Sequence, residues 1–315
     1  MAKIREKDRT SVMNAIAGGV TPRQGIQHIQ VGRLQETDAL LKDIKAISDG
    51  HGAVRIINAS YGSGKTFFLT LTKTVALKNN MLTASADFSP DRRLYASDGK
   101  ANALYQELLR QLSSSRHPDG GALEELLESL DDKVSLGDSE FLSSIRKLPY
   151  GYDAVSVIGA WHIASHPQTE KEKRDAFRLK DACLRWFAGE NTVEHKKMLG
   201  VKSSIGDDGV WDALKLVSMI AKYAGYSGLL VELDECVNLY KINNTTSRDR
   251  NYEQILRIFN ECLQGDAKYI GVVFAGTPEF VMDPRRGLFS YDALKSRLMS
   301  SDYAKRAGDI VDTSG

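Results

Sequence analysis

The 315-residue sequence predicts an α/β fold in which helices cover both faces of a central β-sheet. Three observations lead to this prediction. Short apolar runs of strand length alternate along the chain with segments whose apolar residues recur at helical spacing. A glycine-rich loop follows the first apolar run, and two adjacent carboxylates end a later one. Alternation of this kind is typical of a three-layer α/β/α core.

The first part of the chain is predicted to supply two strands of this core. A polar, basic arm over residues 1–30 precedes a helix whose apolar residues lie between 40 and 47. An apolar run over 53–57 predicts the first strand, and the run 82–87 predicts the second, which stops at a Ser-Pro turn. The apolar residues of segment 104–112 then return to helical spacing.

The second part of the chain is predicted to complete the sheet. Residues 113–208 are charged, show helical spacing and contain no convincing strand. A helical face over 211–221 leads into an apolar strand at 228–235. A further helix is predicted over 252–263, followed by a core strand at 269–274.

The loop after the first strand has the composition of a phosphate-binding loop. It contains, in order, Tyr61, Gly62, Ser63, Gly64, Lys65 and Thr66. The two glycines let the backbone wrap closely around phosphate oxygens, while Lys65 reaches the β- and γ-phosphates and Thr66 can ligate Mg²⁺. Ala59 stands where the motif has its first glycine, and alanine is tolerated there if φ is negative. The alternative is a chance glycine-rich turn before a helix.

The strand predicted at 228–235 ends in the two carboxylates Asp234 and Glu235. Beside the phosphate-binding loop, Asp234 would hold Mg²⁺ through its water shell and Glu235 would polarise the attacking water. Standing alone, the pair would instead indicate an acidic helix cap. Glu232 lies inside the same strand, so we expect it at a sheet edge or paired with a neighbouring base.

Composition excludes several other classes of protein. A formal net charge of +1 gives no global electrostatic argument for a nucleic-acid or membrane partner. Cys183, Cys236 and Cys262 are scattered and odd in number, which indicates buried thiols rather than disulfides or a zinc site. No apolar run reaches 18 residues and no signal peptide opens the chain, so a cytoplasmic protein is expected.

The histidines give a weak signal for metal binding. Only His162 and His166 have the helical i, i+4 spacing that places two imidazoles on one face. They lack the glutamate of a metalloprotease motif, so the pair by itself does not predict a metal site.

The spacing of the two motifs indicates an insertion. Lys65 and Asp234 are 169 residues apart, whereas one βαβ unit takes roughly 30 residues. Several further units or one large helical insertion could fill that interval. The absence of strand signals between 113 and 208 favours the insertion.

Four segments together resemble the AAA+ ATPases of the origin-recognition and STAND type. The first is Val31, Gly32 and Arg33; the others are the phosphate-binding loop, the segment 230–235 and the segment 275–280. The resemblance implies a P-loop NTPase fold, with ATP and Mg²⁺ as ligands.

Three further segments, at 19–25, 87–93 and 283–287, resemble the BrxD-type ATP-binding proteins of BREX bacteriophage-exclusion systems. The likeness covers most of residues 15–130 and 210–300 and is weakest in the helical insertion.

Roles for individual residues follow from the AAA+ resemblance. It implies that the segment 31–33 lies beside the adenine and that Thr277 is the polar sensor near the γ-phosphate. Ser296-Arg297 resembles the pair that supplies an arginine finger, which stabilises transition-state charge on a neighbouring subunit's nucleotide. Arg285 and Arg286 compete for this role, and a solvated helix arginine is the alternative for each.

The resemblance also sets an expected division of the chain. Residues 1–30 form an N-terminal arm, 31–112 and 209–300 the ATPase core, 113–208 the helical insertion and 301–315 a polar tail. AAA+ proteins of this type continue into a helical lid and often a winged helix. Both are expected to be absent from this chain or supplied by a partner.

The function expected from these observations is ATP·Mg²⁺ binding with slow hydrolysis, which drives assembly with copies of itself or with other defence or DNA-handling proteins. The runner-up is a nucleotide-dependent scaffold or switch with little or no hydrolysis. A DNA-binding module is a weaker third, because the basic runs carry no interleaved aromatic residues.

Overall fold

A computed structural model gives the fold of the chain. It describes residues 34–132, 139–190, 192–299 and 311–312, together with three single helical positions at 6, 10 and 13. The expected adenine-side residues Val31, Gly32 and Arg33 lie outside the described residues, as do nearly all of the N-terminal arm and of the tail.

A parallel sheet forms the centre of the molecule. Its strands are β1 (Gly52–Asn58), β2 (Leu82–Asp87), β3 (Leu229–Asp234), β4 (Ile270–Gly276) and the short β5 (Val311–Asp312). The strand order is β2-β3-β4-β1-β5, and every neighbouring pair runs parallel. The strand that carries the two carboxylates is therefore separated from the loop strand by β4.

Helices fill the connections between these strands. Those of the first part are α1 (Leu34–Ser48), α2 (Lys65–Lys78) and α3 (Lys100–Arg110). Between β2 and β3 follow α4 (Leu123–Asp131), α5 (Ser139–Arg146), α6 (Gly151–Ser165), α7 (Glu170–Phe187), α8 (Val193–Leu199) and α9 (Val210–Ala224). The last part contains α10 (Val237–Tyr240), α11 (Thr245–Gln264), α12 (Pro278–Met282) and α13 (Asp292–Met299). Short 3₁₀ helices span Asp207–Gly209 and Leu288–Ser290.

The two faces of the sheet are covered by different helices. Alternate residues of β3 point to opposite faces, as the strand pleat requires. Leu229, Val231 and Leu233 belong to a large apolar cluster that also contains residues of α3, α9 and α11. Leu230 belongs to a smaller cluster formed with α1 and α2. The prediction of an α/β architecture with helices on both faces is confirmed.

The helical region between residues 113 and 208 shares its core with the sheet. Trp161 of α6 and Trp186 of α7 are buried in the same continuous cluster as the strand residues. Tyr105 of α3 is fully buried, and its hydroxyl donates a 2.8 Å hydrogen bond to the carbonyl of Phe187. This region therefore packs against the core helices, while its status as a separate domain stays a prediction.

Glu232 lies in a central strand, and the expectation of a sheet edge was wrong. β3 is flanked by β2 and β4, and Glu232 is 4% exposed. Its Oε2 atom lies 2.9 Å from the hydroxyl of Ser85 on β2, which donates the hydrogen bond. Burial raises the pKa of the carboxyl to about 8. A strand interior can hold this residue because burial favours its neutral form and Ser85 donates a hydrogen bond to it.

Two further expectations concern the cysteines and membrane-spanning helices. All three cysteines are free and buried, as predicted. Among the described residues, no helix combines the length and apolar character needed to cross a bilayer.

Candidate functional site

The glycine-rich loop connects β1 to α2 in the conformation that its glycines allow. Gly62 has a φ of +78° and Gly64 a φ of +90°, both in the left-handed region where other residues are strained. A Cβ on Gly62 would meet nothing within 4 Å, so backbone conformation and not space requires glycine there. Gly64 is the N-cap of α2 and provides no side-chain hydrogen bond to its first turn.

The first turn of α2 breaks the usual charge preference of helices. The positive end of a helix dipole favours acidic residues, yet this turn contains none and begins with Lys65. Lys65 is 9% exposed, and its Nζ donates hydrogen bonds to the carbonyls of Ala59 at 2.9 Å and Ser60 at 3.1 Å. A cation held beside uncapped helix N–H groups forms a local site for an anion.

The carboxylates lie at the carboxyl ends of β3 and its neighbour. Burial is the largest cause that raises the pKa of the Asp234 carboxyl above its usual range. The backbone N–H of Glu235 donates to Asp234 Oδ1 at 2.7 Å and opposes that rise, and the Lys65 ammonium opposes it as well. The negative charges of Asp87 and Glu235 add to the rise. A bound cation would relieve this repulsion.

A single cavity brings together the two residues predicted to bind the metal. It has a volume of about 470 Å³, and its lining includes Thr66 at the start of α2 and Asp234 at the end of β3. Asp87 and the buried Glu232 line it as well. A hydroxyl and carboxylates around one cavity provide the oxygen ligands that Mg²⁺ prefers.

Glu235 adopts a strained backbone conformation. Its φ is +55°, in the left-handed region that non-glycine residues seldom occupy. The next residue is held in place, because the N–H of Cys236 donates to the carbonyl of Ala275 on β4 at 3.1 Å. Strain of this kind is concentrated at active sites, where the surrounding structure fixes the direction of a side chain.

Thr277 follows β4, the strand between the loop strand and the carboxylate strand. The residue is 2% exposed and is the N-cap of α12. Its side chain makes no capping hydrogen bond to that helix. The hydroxyl is therefore not used as a helix cap, which is the structural role expected of a threonine before proline.

The three candidate arginine fingers have different surroundings. Arg297 donates from Nε to Asn260 on α11 at 2.7 Å and from Nη1 to its own helix at the Ala293 carbonyl. Arg286 donates from Nη2 to the carbonyls of Tyr240 and Ile242. Arg285 is exposed. Two of the three guanidinium groups are thus bound within the chain.

Asp87 is the site residue that the sequence analysis missed. It ends β2, and the register of the sheet pairs it with Asp234. The signal was present, because two parallel strands that end in aspartates bring those carboxylates to one edge. From the sequence, Asp87 was interpreted as the end of a strand and as part of the segment 87–93, with no role in the site.

Comparison with known proteins identifies one family. The family model described as BREX system ATP-binding protein BrxC/D matches the chain over residues 4–137 and 129–314. No curated protein matches it.

Proposed function

The chain belongs to the BrxC/D family of BREX system ATP-binding proteins, and from this premise we propose that it is a P-loop ATPase of the AAA+ type. It binds ATP with Mg²⁺ at the carboxyl edge of its sheet and hydrolyses ATP slowly. The observation that carries the proposal is the cavity lined by both Thr66 and Asp234, 168 positions apart in sequence. The resemblance of segments 230–235 and 275–280 to AAA+ proteins supports the same assignment.

The loop and α2 hold the phosphates in this proposal. N–H groups of the loop and of the first helical turn bind phosphate oxygens, and the two left-handed glycines keep Cβ atoms out of the way. The Lys65 ammonium has three N–H donors and directs two of them to the carbonyls of Ala59 and Ser60. This places the charge against the loop that the phosphates occupy.

The end of β3 provides the groups for metal binding and hydrolysis. Thr66 and Asp234 would hold Mg²⁺, which neutralises charge on the phosphates when it is bound. The Glu235 carboxylate orients a water molecule and accepts its proton, and the Thr277 hydroxyl gives that water a second hydrogen bond. The strained backbone of Glu235 supports this role, because such strain is concentrated at active sites.

ATP binding would control assembly in BREX defence. The nucleotide-bound chain associates with further copies of itself or with other proteins of the system, and hydrolysis releases them. The second candidate is a nucleotide-dependent scaffold with little hydrolysis. It is favoured by the engagement of the Arg286 and Arg297 guanidinium groups within the chain. Phosphate release, measured with and without DNA, distinguishes the two.

The assignment of the loop is tested by the stability of the Lys65→Ala variant. ATP·Mg²⁺ at 100 times its Kd stabilises a folded protein by about 2.7 kcal/mol. We expect this stabilisation in the wild type and its loss in Lys65→Ala, measured by thermal unfolding with and without nucleotide. Lys78→Ala is the matched control, because Lys78 is exposed at the other end of α2. A Lys65→Ala variant that keeps the full thermal shift would contradict the proposed site.

A further inference from the structure

Three side chains of metal-ligating types meet at the ends of α4 and α6. Asp131 is the last residue of α4, His162 lies in the last turn of α6 and His166 is the C-cap of α6. His162 Nδ1 lies 2.7 Å from Asp131 Oδ1, and His166 Nε2 lies 2.8 Å from Asp131 Oδ2. One carboxylate thus binds two imidazoles, one on each oxygen.

The spacing of these atoms would have to change only modestly to form a coordination sphere. A nitrogen or oxygen from each of the three residues lies within 4.8 Å of the other two. In a tetrahedral zinc site with bonds of about 2.0–2.1 Å, ligand atoms lie about 3.3 Å apart. The two contacts of 2.7 and 2.8 Å would therefore lengthen by roughly half an ångström on metal binding.

The ends of two helices make this position favourable for a cation. The negative end of a helix dipole favours basic residues, yet the last turn of α4 contains none and the helix ends in Asp131. The last turn of α6 ends beside it. The Asp131 carboxylate is thus placed against the helix dipole and is 10% exposed. An acidic residue at the negative end of a helix breaks the usual charge preference, which indicates that another group supplies positive charge there.

The three ligands also leave an open side. The His162 side chain is 28% exposed and that of His166 is 55% exposed. A metal held by Asp131, His162 and His166 would keep at least one position for water, in contrast to the closed shell of a four-ligand structural site.

We propose that Asp131, His162 and His166 bind one Zn²⁺ ion, which joins the ends of α4 and α6. Imidazole nitrogens and a carboxylate oxygen are ligands that zinc accepts readily, whereas Mg²⁺ prefers an all-oxygen shell. This site is independent of the proposed nucleotide site, whose metal ligands come from α2 and β3. Without metal, Asp131 joins the two helices through its hydrogen bonds to the imidazoles.

Zinc titration of the full chain tests the proposal. The metal-free protein, prepared with a chelator that is then removed, is titrated with Zn²⁺ in competition with a chromophoric zinc indicator. We expect about one tightly bound ion per chain, and a Zn²⁺-dependent rise in melting temperature that Mg²⁺ does not reproduce. His166→Ala should lower the affinity at least tenfold, since even partners outside the ligand shell change it by 10–100-fold.

One further ligand variant and two control variants complete the zinc experiment. Asp131→Asn retains a hydrogen-bonding oxygen and removes the charge, so it should also lose at least tenfold in affinity. His51→Ala removes an exposed histidine elsewhere, and Lys65→Ala disables the nucleotide site, so both should bind Zn²⁺ like the wild type. The proposal is overturned if the wild type binds no zinc, or if His166→Ala and Asp131→Asn bind it unchanged. Because His166 is more than half exposed, its replacement is compatible with folding.

Discussion

At the residue scale, Glu235 combines a strained backbone conformation with a carboxylate of the candidate site. A non-glycine residue with a φ of +55° is strained by about 1–3 kcal/mol. The fold retains this strain because the N–H of Glu235 is bonded to Asp234 and that of Cys236 to Ala275. The resulting turn places two successive carboxylates at the end of β3, where we propose that Asp234 binds the metal and Glu235 activates the water.

The proposed role of Glu235 leads to a prediction for hydrolysis. Glu235→Gln keeps the shape of the side chain and removes its basicity, so ATP should still bind while phosphate release falls at least about tenfold. Asp234→Asn should instead weaken the Mg²⁺ dependence of nucleotide binding. Both effects can be measured by nucleotide titration and steady-state phosphate assays. Hydrolysis at the wild-type rate in Glu235→Gln would show that another group activates the water.

Glu232 shows a different solution for a buried carboxyl. It accepts a hydrogen bond from Ser85, and burial raises its pKa to about 8. In the unfolded chain the same carboxyl titrates near 4.5. Between these two pH values the folded protein keeps a proton that the unfolded chain releases, so stability falls as pH rises through this window.

Replacement of Glu232 by glutamine should remove that pH dependence. The amide resembles the neutral acid. The free energy of unfolding of Glu232→Gln should therefore match that of the wild type near pH 4.5 and exceed it by an increasing amount up to pH 8. The difference should be on the order of a few kcal/mol, since each pKa unit corresponds to about 1.4 kcal/mol. Denaturant unfolding at several pH values measures it, with Glu253→Gln as an exposed control. Parallel pH profiles for wild type and Glu232→Gln would exclude a neutral Glu232.

At the scale of single elements, α3 obtains its N-terminal cap from a distant part of the chain. Its own N-cap is Gly99, which has no side chain to offer. Asp207, from the 3₁₀ helix before α9, accepts hydrogen bonds from the N–H groups of Gly99 at 2.7 Å and Asn102 at 2.8 Å. This carboxylate also lies where the helix dipole favours negative charge. The helical region is thus tied to the core at the start of α3.

Loss of this cap should destabilise the fold measurably. Asp207→Ala leaves two N–H groups at the start of α3 without their carboxylate, and the expected loss is about 1 kcal/mol. Asp208→Ala is the matched control, since its side chain is exposed in the same turn. Chemical denaturation of the three proteins gives the comparison. Equal losses in both variants would mean that the cap contributes nothing beyond general surface charge.

At the scale of the whole molecule, the proposal of hydrolysis requires an arginine finger, and three arginines are candidates. An arginine finger must reach the nucleotide of a neighbouring copy. Arg297 is held by Asn260 and by its own helix, whereas Arg285 is exposed. The sequence favoured Arg297, and the surroundings of the three guanidinium groups make Arg285 an equal candidate.

Mixing experiments determine whether Arg297 or Arg285 is the arginine finger. If Arg297 acts in trans, Arg297→Ala should bind ATP normally but lose turnover. Excess Lys65→Ala protein should restore turnover, because its intact Arg297 can reach the nucleotide bound to the Arg297→Ala copy. The same should hold for Arg285→Ala if Arg285 is the finger. Phosphate release is measured against the mixing ratio for each variant. A rate that does not depend on protein concentration or on either arginine would instead favour the monomeric switch.

The order of elements and the candidate nucleotide motif followed from the sequence alone. The predicted strands 53–57 and 82–87 lie within or coincide with β1 and β2, because apolar runs bounded by turn residues are a local signal. The predicted strand 228–235 contains β3 and is one residue too long at each end. The last strand ends two residues later than predicted, at Gly276. Local signals of this kind need no knowledge of which segments become neighbours.

The tertiary structure alone decided which distant residues meet. Strand order made β3 a central strand and so buried Glu232, and parallel register placed Asp87 beside Asp234. Packing of α4 against α6 brought Asp131 to a histidine pair that had given only a weak signal. Such contacts depend on which elements pack together, which hydrophobic spacing along one segment does not specify.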